Sequence, residues 1–330
     1  MTRSALAALA FLFLARLAVA DGVPGDPLPA DGRPHAFDTK HVALEFSIDL
    51  AKQRIEARAT ISLVAAAEAP LSEVALDAWD FAVRKVEVDG QPAGFRHDGR
   101  VLTIPIPTLA KGTAATLAID YVLDQPKKGF YFVLPNADEP TLPRQVYTQS
   151  EPDETRYWIP CFDQPDDKVT SEVRVTLPKG LTAISNGGLV SKSDDDAKGT
   201  STFHWRQAIA HSVYLIVVTA GDYVKIEDRW RDVPVEYYVS PDEAEHARRS
   251  FGKTPEMLEF FSTILGYPYP YEKYAQVTVR NYMWGGMEHT TATTQNAGTI
   301  HDERSELDWT SEGLVSHELA HQWFGDLVTC

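Results

Sequence analysis

The hydrophobic period changes near residue 240, and this change limits the fold more than any other feature of the chain. Between residues 41 and 239, apolar and polar residues alternate in short runs at 42–50, 54–63, 101–106, 116–122 and 172–177. A period of two sends successive side chains to opposite faces, so each run reads as a strand with one buried face. Turn residues separate the runs, as at Asp89-Gly90, Pro178-Lys179-Gly180 and Asn186-Gly187-Gly188. Short strands with this punctuation predict an antiparallel all-β domain over residues 41–240. After Pro241, Phe251, Met257, Leu258, Phe261 and Leu265 are spaced for one helical face within residues 242–265. A strand is expected at 274–282, where Val277 and Val279 alternate. Thr310-Ser311 then supplies N-cap chemistry for a helix running to Leu327. The chain is thus expected to hold a β-domain and then, over residues 241–330, the first part of an α/β or α+β domain.

Residues 1–20 read as an address. Arg3 gives a positive start, residues 5–15 are unbroken apolar, and Ala18-Val19-Ala20 offers small residues for a signal peptidase. Cleavage after Ala20 would leave Asp21 first and implies a secreted or periplasmic protein. An uncleaved anchor is the alternative, but the apolar run falls short of the roughly 20 residues needed to span a bilayer. Residues 21–40 begin with a stretch rich in Pro, Gly and Asp and read as a leader or linker. No other stretch is long and apolar enough to cross a membrane, so no span is expected in the mature chain. The 31 Lys and Arg against 47 Asp and Glu give a formal charge of −16. That balance argues against a nucleic-acid partner, which needs clustered cations to displace phosphate counterions. The two cysteines, Cys161 and Cys330, exclude a disulfide framework and a Cys-rich zinc module. Asp194, Asp195 and Asp196 are read as a solvated hairpin tip.

The strongest chemical signal is His317-Glu318-Leu319-Ala320-His321. Residues four apart share a helical face, so the two imidazoles can converge on one zinc ion. Glu318 is then placed to take a proton from the water that the metal activates. Trp323, Phe324 and Leu327 suggest a buried helix, and buried paired histidines need a partner such as a metal. Catalytic zinc takes three protein ligands and keeps one open position. No upstream carboxylate stands at a motif-like spacing for the third, which suggests a chain truncated within its catalytic domain.

Residues 317–329, reading HELAHQWFGDLVT, closely resemble the zinc-binding helix of the aminopeptidase N family of zinc exopeptidases. Gly285-Gly286-Met287-Glu288-His289 resembles the exopeptidase motif of that family, at a matching distance upstream. The segment from Tyr147-Thr148-Gln149-Ser150-Glu151 through Ile159-Pro160-Cys161-Phe162-Asp163-Gln164-Pro165 resembles a turn of its β-domain. The similarity runs from about residue 40 to the end. It implies a saddle-like N-terminal β-domain and then a thermolysin-like α/β catalytic domain. It also implies one Zn2+ per chain and the removal of single residues from peptides with a free N-terminus. His317 and His321 are the implied metal ligands and Glu318 the general base. The third ligand, a Glu, and an oxyanion-holding Tyr would lie beyond Cys330, so the 330-residue chain alone is expected to be inactive.

The resemblance makes Glu288 the anchor of the substrate amine and Glu151 a second amine-binding carboxylate. Carboxylates suit that task because they accept charge-assisted hydrogen bonds from an α-ammonium. Gly285 and Gly286 let another backbone approach, so a substrate main chain can pair with the strand edge. Met287 is a candidate wall of the first side-chain pocket, with a core methionine as the alternative. Cys161 is read as a buried thiol and Trp284 as packing. Two departures stand out: His289 replaces the usual Asn and could titrate, and Asp326 replaces the usual Asn near the helix end. A non-catalytic scaffold relative remains an alternative, though His317, Glu318 and His321 are all intact. So does a bifunctional epoxide hydrolase/aminopeptidase, as in the leukotriene-hydrolase relatives.

Overall fold

A computed structural model describes residues 35–329. The signal-peptide segment 1–20 and most of the proposed leader lie outside the described residues. The leader is expected to reach residue 40, but the first strand, Phe37–Asp49, already begins at Phe37.

Alternation produces the predicted strands. Val42, Leu44, Phe46 and Ile48 point inward from Phe37–Asp49, and Ile55, Ala57, Ala59, Ile61 and Leu63 point inward from Arg54–Ala65. These strands pair at the centre of an eight-stranded sheet. On one side lie Val169–Pro178, Thr200–His211 and Gly188–Asp195; on the other lie Ala114–Asp124, Ala82–Val88 and Gln91–Ala93. The sheet is antiparallel except where Phe37–Asp49 runs parallel to Val169–Pro178, from His41 opposite Thr170 to Ser47 opposite Thr176. A parallel neighbour needs a long crossover, which the intervening hundred-odd residues supply. Two smaller sheets, of three and four strands, accompany it. The aromatic core includes Trp158, whose ring lies 5.7 Å from that of Phe46 and 6.0 Å from that of Phe130. The three aspartates at 194–196 fall at a hairpin end, where Lys179 pairs with Asp194 and Asp196, and Lys198 with Asp195.

The later part is built on a five-stranded mixed sheet in the order Val224–Trp230, Val233–Val239, Tyr274–Val279, Ala292–Asn296, Gly286–Met287. Val233–Val239 runs parallel to Tyr274–Val279, which runs parallel to Ala292–Asn296. A division at residue 240 therefore cuts through a sheet, since strands on its two sides are hydrogen-bonded neighbours. Helices α1 (Ala244–Phe251) and α2 (Thr254–Ile264) carry the crossover between the first parallel pair. All six residues of Tyr274–Val279 are buried, as befits a parallel strand covered on both faces. Tyr237, Phe251, Leu258, Tyr274, Val315, Leu319 and Trp323 form the core on one face of this sheet.

Three boundaries differ from expectation. The helical stretch 242–265 is two helices, because Pro255 lacks an N–H and suits a first turn, so α2 starts afresh at Thr254. The strand expected to reach residue 282 ends at Val279, with Asn281 at a φ of 56°. The last helix, α3 (Glu312–His321), stops at His321 rather than Leu327. Beyond it Gly325 adopts a φ of 135°, and its N–H bonds to the Val328 carbonyl. Ser311 is the N-cap residue, but its hydroxyl bonds to the Ser250 carbonyl instead of the helix.

Candidate metal and amine site

The burial pattern of α3 explains how it presents its histidines. Val315 and Leu319 face the core at a spacing of four, and Glu318 is buried beside them. His317 and His321, also four apart, face the open side. The expectation of buried histidines is thus corrected: His317 is exposed and His321 half-buried, and of the apolar residues that follow, Trp323 turns into the core while Phe324 stays 55% exposed. The two Nε2 atoms lie 3.2 Å apart. Two imidazoles bound tetrahedrally at about 2.05 Å from one zinc would stand about 3.3 Å apart. His321 Nδ1 donates to the Phe324 carbonyl at 2.9 Å, which leaves the Nε2 lone pair for a shared proton or a shared cation. Gly325 belongs to this arrangement, since a Cβ there would sit 3.1 Å from His321 Nδ1.

The Glu318 carboxylate is 4% exposed, and its Oε2 has no hydrogen-bond partner. Burial first, and then the neighbouring Glu288 and Glu151, push its pKa up to about 8. Gly286 packs against it so closely that a Cβ would lie 2.5 Å from Oε1. Glu288 comes directly after the edge strand Gly286–Met287, which among the described residues pairs only with Ala292–Asn296 and leaves its other side free. Asn296 reinforces that pairing, its backbone N–H donating to the Gly285 carbonyl at 2.8 Å. Glu288 Oε1 approaches His321 Nδ1 at 3.8 Å.

Glu151 arrives from the β-rich part. The preceding Thr148, Gln149 and Ser150 are all buried, and Ser150 Oγ accepts from Trp158 Nε1 at 2.8 Å. Gln149 donates to the Met287 sulfur at 3.3 Å and accepts from the Tyr282 hydroxyl. Glu151 itself is exposed, and its pKa is raised by partial burial and by Glu288. Glu151, Glu288 and Glu318 thus share one electrostatic neighbourhood with two imidazoles. Among the described residues, no lysine or arginine forms an ion pair with any of the three. The donor set fits a divalent cation: two open nitrogens at the right separation, beside a buried carboxylate oxygen without a partner. Among the described residues no third His, Cys, Asp or Glu completes a cluster around them.

Other expectations change. Met287 is 1% exposed and packs with Val133, Tyr147, Leu215 and Tyr282, so the alternative of a core methionine holds among the described residues. His289 is fully buried, with Nδ1 on Thr294 Oγ1 at 3.0 Å. Burial holds its pKa down at about 3, which favours the neutral imidazole. Asp326 is likewise sealed in, and burial raises its carboxyl well above the ordinary range. Cys161 is buried with its thiol pKa raised by the same cause, as expected of an inert thiol. Trp284 is 41% exposed rather than fully packed. Gln149, Tyr282 and Gln322 are not singled out by sequence; each links two segments around the site, and a lone amide or phenol gives no periodic signal.

The sequence that builds this arrangement has relatives among known proteins. Residues 37–215 match the Peptidase M1 N-terminal domain, and residues 249–330 match the Peptidase family M1 domain. The chain belongs to the M1 peptidase family. It is 31% identical over 240 residues to endoplasmic reticulum aminopeptidase 1 of Mus musculus, covering 71% of this chain and 26% of that protein. It is 25% identical over 308 residues to leukotriene A-4 hydrolase of Xenopus laevis, covering 90% of this chain and 48% of that one. A probable aminopeptidase 1 of Sulfurisphaera tokodaii is 25% identical over 266 residues, covering 78% and 32%. The chain therefore spans between a quarter and half of the length of these relatives.

Proposed function

We propose that this chain is the N-terminal portion of a zinc-dependent aminopeptidase, exported after cleavage behind Ala20, that removes the first residue from peptides with a free N-terminus. The observation that carries the reading is the cluster of Glu151, Glu288 and Glu318 around the His317–His321 pair, three carboxylates with no lysine or arginine paired to them among the described residues. Such a cluster calls for cations beyond the described side chains. A substrate ammonium and a metal ion answer that call together.

In this reading His317 and His321 would hold the zinc, with a third protein ligand from a Glu past Cys330. A zinc ion so held would supply Lewis acidity to a carbonyl oxygen and would lower the pKa of a water toward neutrality. Glu288 and Glu151 accept hydrogen bonds from the α-ammonium and fix the first residue. Internal peptide segments bring no such charge and are held less well. The free side of Gly286–Met287 pairs with the substrate main chain and orients the scissile bond. Glu318 takes the proton of the attacking water on its carboxylate and delivers it to the departing amine, so one group serves as base and then as acid.

A fluorogenic alanine amide, offered to the intact protein with and without a chelator, tests the reading. Turnover should vanish with the chelator and return with added zinc. Turnover indifferent to metal would refute it. Export is tested by the N-terminus of the mature protein, expected at Asp21; a protein retaining residues 1–20 would refute that part.

A further inference from the structure

Gln322 is the residue after the second histidine, at the C-cap of α3, and it is fully buried. Its Nε2 donates to the backbone carbonyl of Glu288 at 2.9 Å. Its Oε1 accepts from the Thr291 N–H at 2.9 Å and from the Tyr269 hydroxyl at 3.3 Å. One amide thus ties the end of the imidazole-bearing helix to the turn that carries Glu288. That turn is held on its other side too. Asn186 Nδ2 donates to the Thr290 carbonyl at 2.7 Å, and the Gly187 N–H donates to Thr291 Oγ1 at 2.6 Å. Thr291 sits at a φ of 66°, a conformation that a β-branched residue keeps only where its surroundings enforce it. The direct approach of His321 to Glu288, at 3.8 Å, is too long for a hydrogen bond and cannot set the spacing itself.

Resting on the reading of Glu288 as an ammonium anchor, we propose that Gln322 is a positioning residue that fixes the distance between the imidazole pair and Glu288. It thereby sets how many carbons separate the amine and carbonyl of an accepted ligand. An α-amino acyl group has one carbon there and a β-amino acyl group has two. A rigid strut accepts the first span and rejects the second, whereas a slack one accepts both.

The test is calorimetric binding of alanine hydroxamate, β-alanine hydroxamate and acetohydroxamate to the intact zinc-loaded protein, with zinc content and thermal melting measured alongside. The hydroxamate group engages the metal in all three, and acetohydroxamate lacks the amine. The unmodified protein should bind alanine hydroxamate about tenfold or more tighter than the other two. Gln322→Met removes every bond of the strut. Gln322→Glu keeps the acceptor for Thr291 and Tyr269 but loses the donor to Glu288, and it carries the test if Gln322→Met fails to fold. In either variant the preference should shrink to about threefold or less, with acetohydroxamate binding unchanged. Tyr269→Phe, which removes the third bond of the strut together with the Tyr269 bond to the Lys273 carbonyl and leaves the two bonds to Glu288 and Thr291, should keep the preference. Folded, zinc-bearing Gln322 variants that discriminate like the unmodified protein would overturn the inference, as would an equal loss for all three probes. An unmodified protein with no preference for the α-amine would instead overturn the reading of the site, and the strut with it.

Discussion

A methyl group added at Gly286 would lie 2.5 Å from Glu318 Oε1 and 2.6 Å from its carboxyl carbon. Either Glu318 or the edge strand must then move. Gly286→Ala is expected to lower kcat by about tenfold or more while leaving zinc content unchanged. Equal kcat would show that the contact is idle. Glu318→Gln removes the proton acceptor without touching a nitrogen ligand, so turnover should fall by about a thousandfold with the metal still bound. Near-normal turnover would end the assignment of Glu318 as base. At this scale the sequence is most legible where a periodic rule applies. A spacing of four on a helix requires His317 and His321 to converge, and Glu318 is placed by the same geometry. It is least legible where burial decides, because none of the residues flanking His289 or Met287 reveals that both side chains are sealed.

The strands are readable because a half-buried strand imposes its pattern on every second residue, as in Phe37–Asp49 and Arg54–Ala65. Tyr274–Val279 is buried on both faces, and its end at residue 279 cannot be placed by alternation. The pairing of strands across residue 240 is not legible either, since register depends on partners distant in sequence. One buried group sits where the two parts meet. Lys273 donates to the Ser185 carbonyl at 2.7 Å and lies 4.7 Å from the Trp205 ring. Burial lowers its pKa from 10.5 to about 7, offset only in part by Glu236 and Glu272. The unfolded chain keeps this proton up to the ordinary lysine range, whereas the folded chain releases it near neutrality. Between these limits the unfolded state binds more protons, so this group makes stability rise with pH; the cost of burying the charge is fully present below about 7. Denaturant unfolding at pH 7 and pH 9 should show this gain, with a limiting slope of about 1.4 kcal/mol per pH unit. Lys273→Met should abolish that increment, and an equal pH dependence in both proteins would contradict the assignment.

Across the whole molecule, the site exists because two regions meet. Glu151 comes from the β-rich part, Glu288 from a sheet edge, and the imidazoles from α3. Gln149 bridges the first two through Met287 and Tyr282. The sequence names these groups because three motifs occur in family order; the contacts that bring them together belong to packing and cannot be read in advance. Under the proposed function, their common consequence is a demand for a cation on the amine of the ligand. The most direct test compares kcat/KM for an alanine amide and its N-acetyl counterpart on the intact zinc-loaded protein. Acetylation removes the charge and leaves the scissile bond unaltered. The free-amine substrate should be favoured by at least about a thousandfold, as expected when the buried Glu288 carboxylate is left without a counter-ion. Comparable rates for the two would contradict it.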